Sequence, residues 1–223
     1  MDLVKRFLLL FLGLFLYSIG ILLTIHANLG ASPWDVFHLG LSSMTGLTIG
    51  KVSQIVGVVL IVVNYFLKER IGWGTIFNMY FIGLFIDIIQ DHGLIVSANS
   101  LPAKIIMLLL GIITMGWATF FYMNSALGIG PRDGLMIGLS KRFSARVWKV
   151  RTVIEVCVVA IGFLFGGPVG IGTVVSAFLI GPSIQLAYTV VGKDPKGIVH
   201  RTITDDIKAI FSPRGKLKKI IKK

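Results

Sequence analysis

An apolar run of about 20 residues has one natural solvent, because a helix of that length spans the hydrocarbon core of a bilayer. Six such runs punctuate this chain, over 7–27, 48–67, 74–89, 101–123, 147–165 and 172–191. In hydrocarbon every backbone N–H and C=O must be bonded internally, so only helices and closed barrels can cross. Barrel strands would alternate polar and apolar over about 10 residues, and these runs do not. The expected fold class is an all-α integral membrane protein with six transmembrane helices. Composition points the same way: 14% of residues are charged, against about 25% in soluble domains. Lys5 and Arg6 precede the first run as they would in a signal peptide. That run is longer than an h-region of about 7–15 residues and has no clear cleavage site, so it is read as a span.

A net charge of +12 raises the question of nucleic acid. The positions of the charges answer it. With the N-terminus inside, only Lys51 and Lys104 fall outside, and the remaining Lys and Arg all lie on inner segments. A bias of this strength sets orientation, so both termini are expected in the cytoplasm and no nucleic acid is called for. The membrane domain is placed at 1–192 and a basic cytoplasmic tail at 193–223. Within the tail, 204–211 reads as two turns of helix capped at Thr204. The run from Lys216 to Lys223 suits an anionic lipid surface, at about 1 kcal/mol per basic residue, or simply a solvated tail.

The membrane domain states itself twice. Gly30-Ala31-Ser32-Pro33-Trp34-Asp35 returns as Gly128-Ile129-Gly130-Pro131-Arg132-Asp133, 98 residues later. At the same shift Gly13 matches Gly111, and Gly40-Leu41-Ser42 matches Gly138-Leu139-Ser140. Lys51 matches Lys149, and Gly72-x-Gly74-Thr75 matches Gly170-x-Gly172-Thr173. Apolar runs align by chance; the Pro, Asp, Lys and Gly punctuation between them does not. The halves are therefore repeat 1, about 7–90, and repeat 2, about 101–191. Each holds three spans, an odd number, so the second must lie inverted relative to the first. Inverted repeats recur in secondary transporters, whose sites lie near the repeat interface, and they occur in channels.

Between the first two spans of each half, the sequence predicts a short helix that is interfacial or re-entrant. Ser32 and Gly130 suit the N-cap, Pro33 and Pro131 the first position, and Asp35 and Asp133 the positive end of the dipole. Helical spacing sets Asp35 with Leu39 and Ser42 on one face, and Asp133 with Ile137 and Ser140 likewise. Ionisable groups at membrane depth are functional candidates by default. The candidate substrate or ion ligands are accordingly Asp35, Asp133, Ser42, Ser140 and Glu155. For the two Asp residues, helix capping at the membrane surface is the competing role. For Glu155 it is a salt bridge to Arg151, one turn earlier. The Gly-x-Gly-Thr pairs read as turns that open the third span of each half, with Thr as a cap. No metal motif, cofactor motif or paired catalytic carboxylate stands out, and an enzyme has little support.

The Leu-Gly-x-x-Pro-x-Asp motif, Gly40-Leu41-Ser42 and the Gly-x-Gly-Thr before the third span resemble the YczE/YyaS/YitT families of bacterial multi-pass membrane proteins. The YczE branch is the nearest, over about 7–191; the short tail departs from YitT proteins proper, which carry a soluble C-terminal domain. The resemblance implies the fold and a plasma-membrane location, and brings no catalytic residues with it. The expected function is a transporter or channel for a small molecule or ion, with Asp35 and Asp133 at a central cavity. A non-transporting membrane scaffold is the alternative, and a membrane enzyme acting on lipid-linked substrates a third reading. Asp side chains on the outer surface with no cavity between the repeats would favour the scaffold.

Overall fold

The structure is a computed structural model that describes residues 2–194 and 197–206. In chain order its helices are α1 (Leu3–His26), α2 (Pro33–Thr45), α3 (Ile49–Phe66), α4 (Trp73–Asp91), α5 (Leu101–Asn124), α6 (Pro131–Arg142), α7 (Val147–Leu164) and α8 (Ile171–Val191). Five of them, α1, α3, α4, α5 and α8, are long and apolar enough to cross a membrane. The sixth expected span, α7, has 18 residues but carries Lys149, Arg151 and Glu155 within them. Large apolar side chains such as Phe66, Leu164 and Phe178 point outward and are mostly exposed, as in a protein whose outer solvent is lipid.

The repeat extends to the backbone. Adding 98 to the bounds of α1 and α3 gives those of α5 and α7, and α6 and α8 start 98 residues after α2 and α4. Left-handed φ angles recur at the same shift: Asn28 and Ala126, Gly30 and Gly128, Gly46 and Ser144, Lys68 and Gly166. In only one of these pairs is the residue Gly in both copies. The tertiary fold thus imposes this conformation even on Ala126, Ser144 and Lys68, where an L side chain opposes it.

Contacts between the halves are exchanged reciprocally. α1 crosses α5 where Gly20 faces Gly111, and again where Gly13 faces the Ala118 carbonyl. Gly20 is the equivalent of Ala118 and Gly13 of Gly111, so the second contact repeats the first. Small residues let membrane helices approach this closely. Around the crossing lie Leu10, Leu14, Ile21, Ile112 and Met115, all buried.

The loops are crossed as well. The Leu29 carbonyl accepts from Gly172 N–H at 2.6 Å and the Leu127 carbonyl from Gly74 N–H at 2.8 Å. Each Leu-Gly loop therefore docks on the Gly-x-Gly-Thr start of the other half. Both loops need glycine: φ is 101° at Gly30 and 138° at Gly128. A Cβ on Gly30 would stand 2.4 Å from Gly170 N, and one on Gly128 would stand 2.8 Å from Thr75 Oγ1. Within each start, the Thr75 and Thr173 hydroxyls accept from the Gly72 and Gly170 N–H groups at 3.1 and 3.2 Å. The Gly-x-Gly-Thr pairs are turn and docking chemistry.

One pairing is not repeated. α3 lies close on α4 where Gly50 meets Gly83 and Gly57 meets Met79. Asp87, near the end of α4, accepts from Gly50 N–H at 2.9 Å and Thr48 Oγ at 2.7 Å. In the second half Trp148 and Glu155 stand in place of Gly50 and Gly57, and α7 barely touches α8. Gly181, the equivalent of Gly83, has nothing near its Cβ position. Instead α7 packs on α2, with Gly162 against the Phe37 backbone.

Residues beyond α8 depart from the expected free tail. Arg201 N–H donates to Ala126 O at 2.8 Å and Ile203 N–H to Ile71 O at 3.1 Å. Trp73 Nε1 donates to Asp206 at 3.0 Å. The helical turn starts at 203, and Thr202 rather than Thr204 caps it, accepting from Asp205 N–H at 3.2 Å. The remainder of the expected 204–211 helix and the lysine run to Lys223 lie outside the described residues.

The crossed loops make a direct prediction. Gly30→Ala and Gly128→Ala should each destabilise the detergent-solubilised protein by about 2 kcal/mol or more, as steric clash and unfavourable φ combine. Gly181→Ala, with free space around it, should be neutral or slightly stabilising. Thermal unfolding of the three variants checks the ranking.

Candidate functional site

The first turns of α2 and α6 face one cavity. Ser32, Pro33 and Trp34 line it from one side and Gly130, Pro131, Arg132 and Asp133 from the other, and each of the eight helices contributes to its wall. Its volume is about 100 Å³. At about 30 Å³ per water that admits a few waters or one small solute, well short of the roughly 300–1,000 Å³ of drug-sized pockets.

Two helix N-termini bring partial positive charge of about +0.5 each to this space. Proline at the first position of each helix removes a backbone donor that would otherwise lack a partner. Ser32 does not cap α2 with its side chain; its hydroxyl instead donates to Asp35 Oδ2 at 2.5 Å. Asp35 is fully buried, its Oδ1 lies 3.7 Å from His38 Nδ1, and it stands behind the wall rather than in it. Asp133, half-buried, is in the wall and accepts from the Tyr122 hydroxyl at 2.6 Å. The duplicated carboxylates have diverged in position: one is sealed in α2, the other faces the cavity.

Glu155 also lines the cavity and accepts from Arg151 Nε at 2.8 Å. The salt bridge to Arg151 and a place in the wall thus go together. Ser42 and Ser140 lie elsewhere. Ser42 Oγ donates to Leu47 O at 2.7 Å, and Ser140 Oγ to Ala145 O at 2.5 Å. These are matching bonds that close the turns after α2 and α6, and neither serine lines the cavity. Helical spacing put each on the face of its Asp, but the turn that follows the helix offers the hydroxyl the backbone carbonyl five residues on.

Sequence reasoning missed the pair at the centre. Trp34 and Arg132 are equivalents at the shift of 98, and they touch: the Arg132 guanidinium carbon lies 5.1 Å from the Trp34 ring centroid. Arg132 Nη2 is also 3.3 Å from His38 Nδ1 and 3.4 Å from Nε2. A search for identical residues passes over a position where the halves differ, although that difference, placed between Pro and Asp, was the available signal. Tyr17 and Tyr122, which face the cavity from α1 and α5, gave no signal because aromatic residues are ordinary in spans. On the tail side, His200 is near enough for Asp133 to favour its charged form, but burial outweighs this and pushes the imidazole below its ordinary value.

Comparison with known proteins places the chain. Residues 4–189 match the family described as "Family of unknown function (DUF6198)". The chain is similar to an uncharacterized protein of Haemophilus influenzae, 35% identical over 86% of this chain and 87% of the relative. It is 34% identical to the uncharacterized membrane protein YczE of Bacillus subtilis, over 81% of this chain and 84% of that one. The uncharacterized protein YyaS of Bacillus subtilis is 29% identical, over 81% and 90%. No solved structure matches. The resemblance read from the Pro-Asp and Gly-x-Gly-Thr motifs is thereby upheld: the chain is a multi-pass membrane protein and belongs to the DUF6198 family.

Proposed function

We propose that this protein is a transporter or channel-like conductor of a small solute or ion, with its site in the cavity between the first turns of α2 and α6. The observation that carries the reading is the cavity itself. It sets charged and hydroxyl groups among apolar ones, is walled by every helix, and is built where two half-length helices start inside the protein. Discontinuous helices whose N-termini face a shared site are a recurrent device of transporters, and irregular backbone at membrane depth is tolerated where it lines such a space. A scaffold needs neither the cavity nor a buried Asp35.

The reading includes the topology. α7 is the sixth span, its Arg151 and Glu155 paired and turned toward the cavity. The two halves are three-span units inverted with respect to each other, as supported by the reciprocal contacts and the positive-inside bias. Both termini lie in the cytoplasm, and the location is the plasma membrane.

Two measurements test this. In a cysteine-free background (Cys157→Ser), Thr45→Cys and Phe143→Cys mark equivalent exposed ends of α2 and α6. A membrane-impermeant thiol reagent applied to intact cells should label the first, and reach the second only after permeabilisation; labelling from the same side overturns the inversion. In proteoliposomes, flux of any solute found to be carried should fall at least tenfold with Asp133→Asn, about 1.4 kcal/mol. It should stay within twofold for Ser42→Ala and Ser140→Ala. Undiminished flux in Asp133→Asn removes that residue from the site.

A further inference from the structure

The charges around the cavity are unevenly satisfied. Asp133 has the Tyr122 hydroxyl, and Glu155 and Arg151 have each other. Asp35, behind the wall, takes the Ser32 hydroxyl on Oδ2, while its Oδ1 has no hydrogen bond and lies 3.7 Å from His38 Nδ1. Arg132 is different: among the described residues no carboxylate oxygen forms an ion pair with it. Its neighbours are an imidazole and the face of an indole. It also sits at the second position of α6, where the helix dipole repels a cation. A guanidinium cannot shed its proton to escape that position.

The residue across from it carries an unmet donor. Trp34 is buried, 7% exposed, it lines the cavity, and its indole N–H has no hydrogen-bond partner. Indole N–H is a donor only, so what would satisfy it is an acceptor. A guanidinium without a carboxylate and an indole N–H without an acceptor, contributed by equivalent positions of the two halves, thus lie side by side. Two helix N-termini add their partial positive charge there.

We propose that this cavity is an anion site, and that it holds a small monovalent oxyanion or carboxylate between the Arg132 guanidinium and the Trp34 indole N–H. The inference rests on the cavity being the solute site of the proposed transporter, and names the class of solute. The planar fork of Arg matches two oxygens of a carboxylate or nitrate. The cavity of about 100 Å³ limits the anion to a few heavy atoms. Charge limits its valence: Arg132 and Arg151 offset Asp133 and Glu155, Asp35 behind the wall takes up the partial charge of the α2 end, and the α6 end is left with about +0.5, which more than one negative charge would exceed.

The test uses the full-length protein in detergent, with sodium formate, acetate and nitrate as probes and sodium gluconate, too bulky for the cavity, at equal ionic strength as the reference. A ligand that binds only the folded state raises the melting temperature. The expected result is a saturable rise of several degrees with at least one small anion and none with gluconate. Arg132→Gln should abolish it, and Arg132→Lys, which keeps the charge and loses the fork, should raise the half-saturating concentration about tenfold or more. A variant with Trp73, Trp117 and Trp148 changed to Phe reports Trp34 fluorescence alone and should respond over the same concentration range. No saturable response to any of the three anions overturns the proposal, as does a response unchanged in Arg132→Gln. A response to the sodium or potassium cation, set against choline and lost in Asp133→Asn, overturns the anion site while leaving the transport reading intact. Anion binding that depends on Arg132, without flux of any anion in proteoliposomes, upholds the site and removes the transport reading.

Discussion

A helix that begins inside a membrane protein must dispose of backbone donors and acceptors that no water can reach. Here each half solves the problem with the other half's backbone. The Leu29 and Leu127 carbonyls, at the loops leading into α2 and α6, take the N–H groups of Gly172 and Gly74 at the starts of α8 and α4. Glycine on both sides of each contact brings the two chains within hydrogen-bonding reach. Together with Ala31 N–H on Pro168 O at 3.2 Å and Asn64 Nδ2 on Pro131 O at 2.8 Å, this exchange holds the first turns of the short helices in place. The cavity, the Trp34–Arg132 contact and the burial of Asp35 all follow from it.

Much of this was legible in the sequence because punctuation residues are chosen for local physical reasons. Pro33 and Pro131 mark helix starts, and Gly30 and Gly128 mark a φ that other residues resist. Their spacing therefore survives as a visible repeat, and the helix bounds follow it. The partners of these residues were not legible. Gly72-x-Gly74-Thr75 reads correctly as a turn, yet nothing in it says that it receives Leu127 from the other repeat. The same limit hid where the Ser42 and Ser140 hydroxyls bond. A hydroxyl near the end of a short helix has a backbone carbonyl within reach as well as a neighbour on its face, and periodicity alone cannot choose between them. Arg132 escaped notice for the opposite reason: it is where the copies disagree, while a repeat is found through agreement.

The halves also differ in how tightly they close. Gly50, Gly57 and Gly83 bring α3 against α4, as small residues do in membrane bundles. Trp148 and Glu155 in the corresponding places keep α7 away from α8, and α7 rests on α2 instead. The charges that disqualify α7 from a purely apolar description are thereby accommodated. Glu155 occupies the position of a packing glycine, Gly57, and both line the cavity, so the second half puts a charge on the wall where the first has none.

Trp34 and Arg132 hold the same place in their respective repeats and touch one another. In an assembly of two identical chains, a residue in that place would meet its own copy. An arginine would face an arginine, and a tryptophan a tryptophan. Joining the two units in one polypeptide frees each copy to mutate alone, so the meeting point can hold two unlike groups with complementary shapes. Relatives built as separate half-length subunits would have to place unlike chains together to reproduce it.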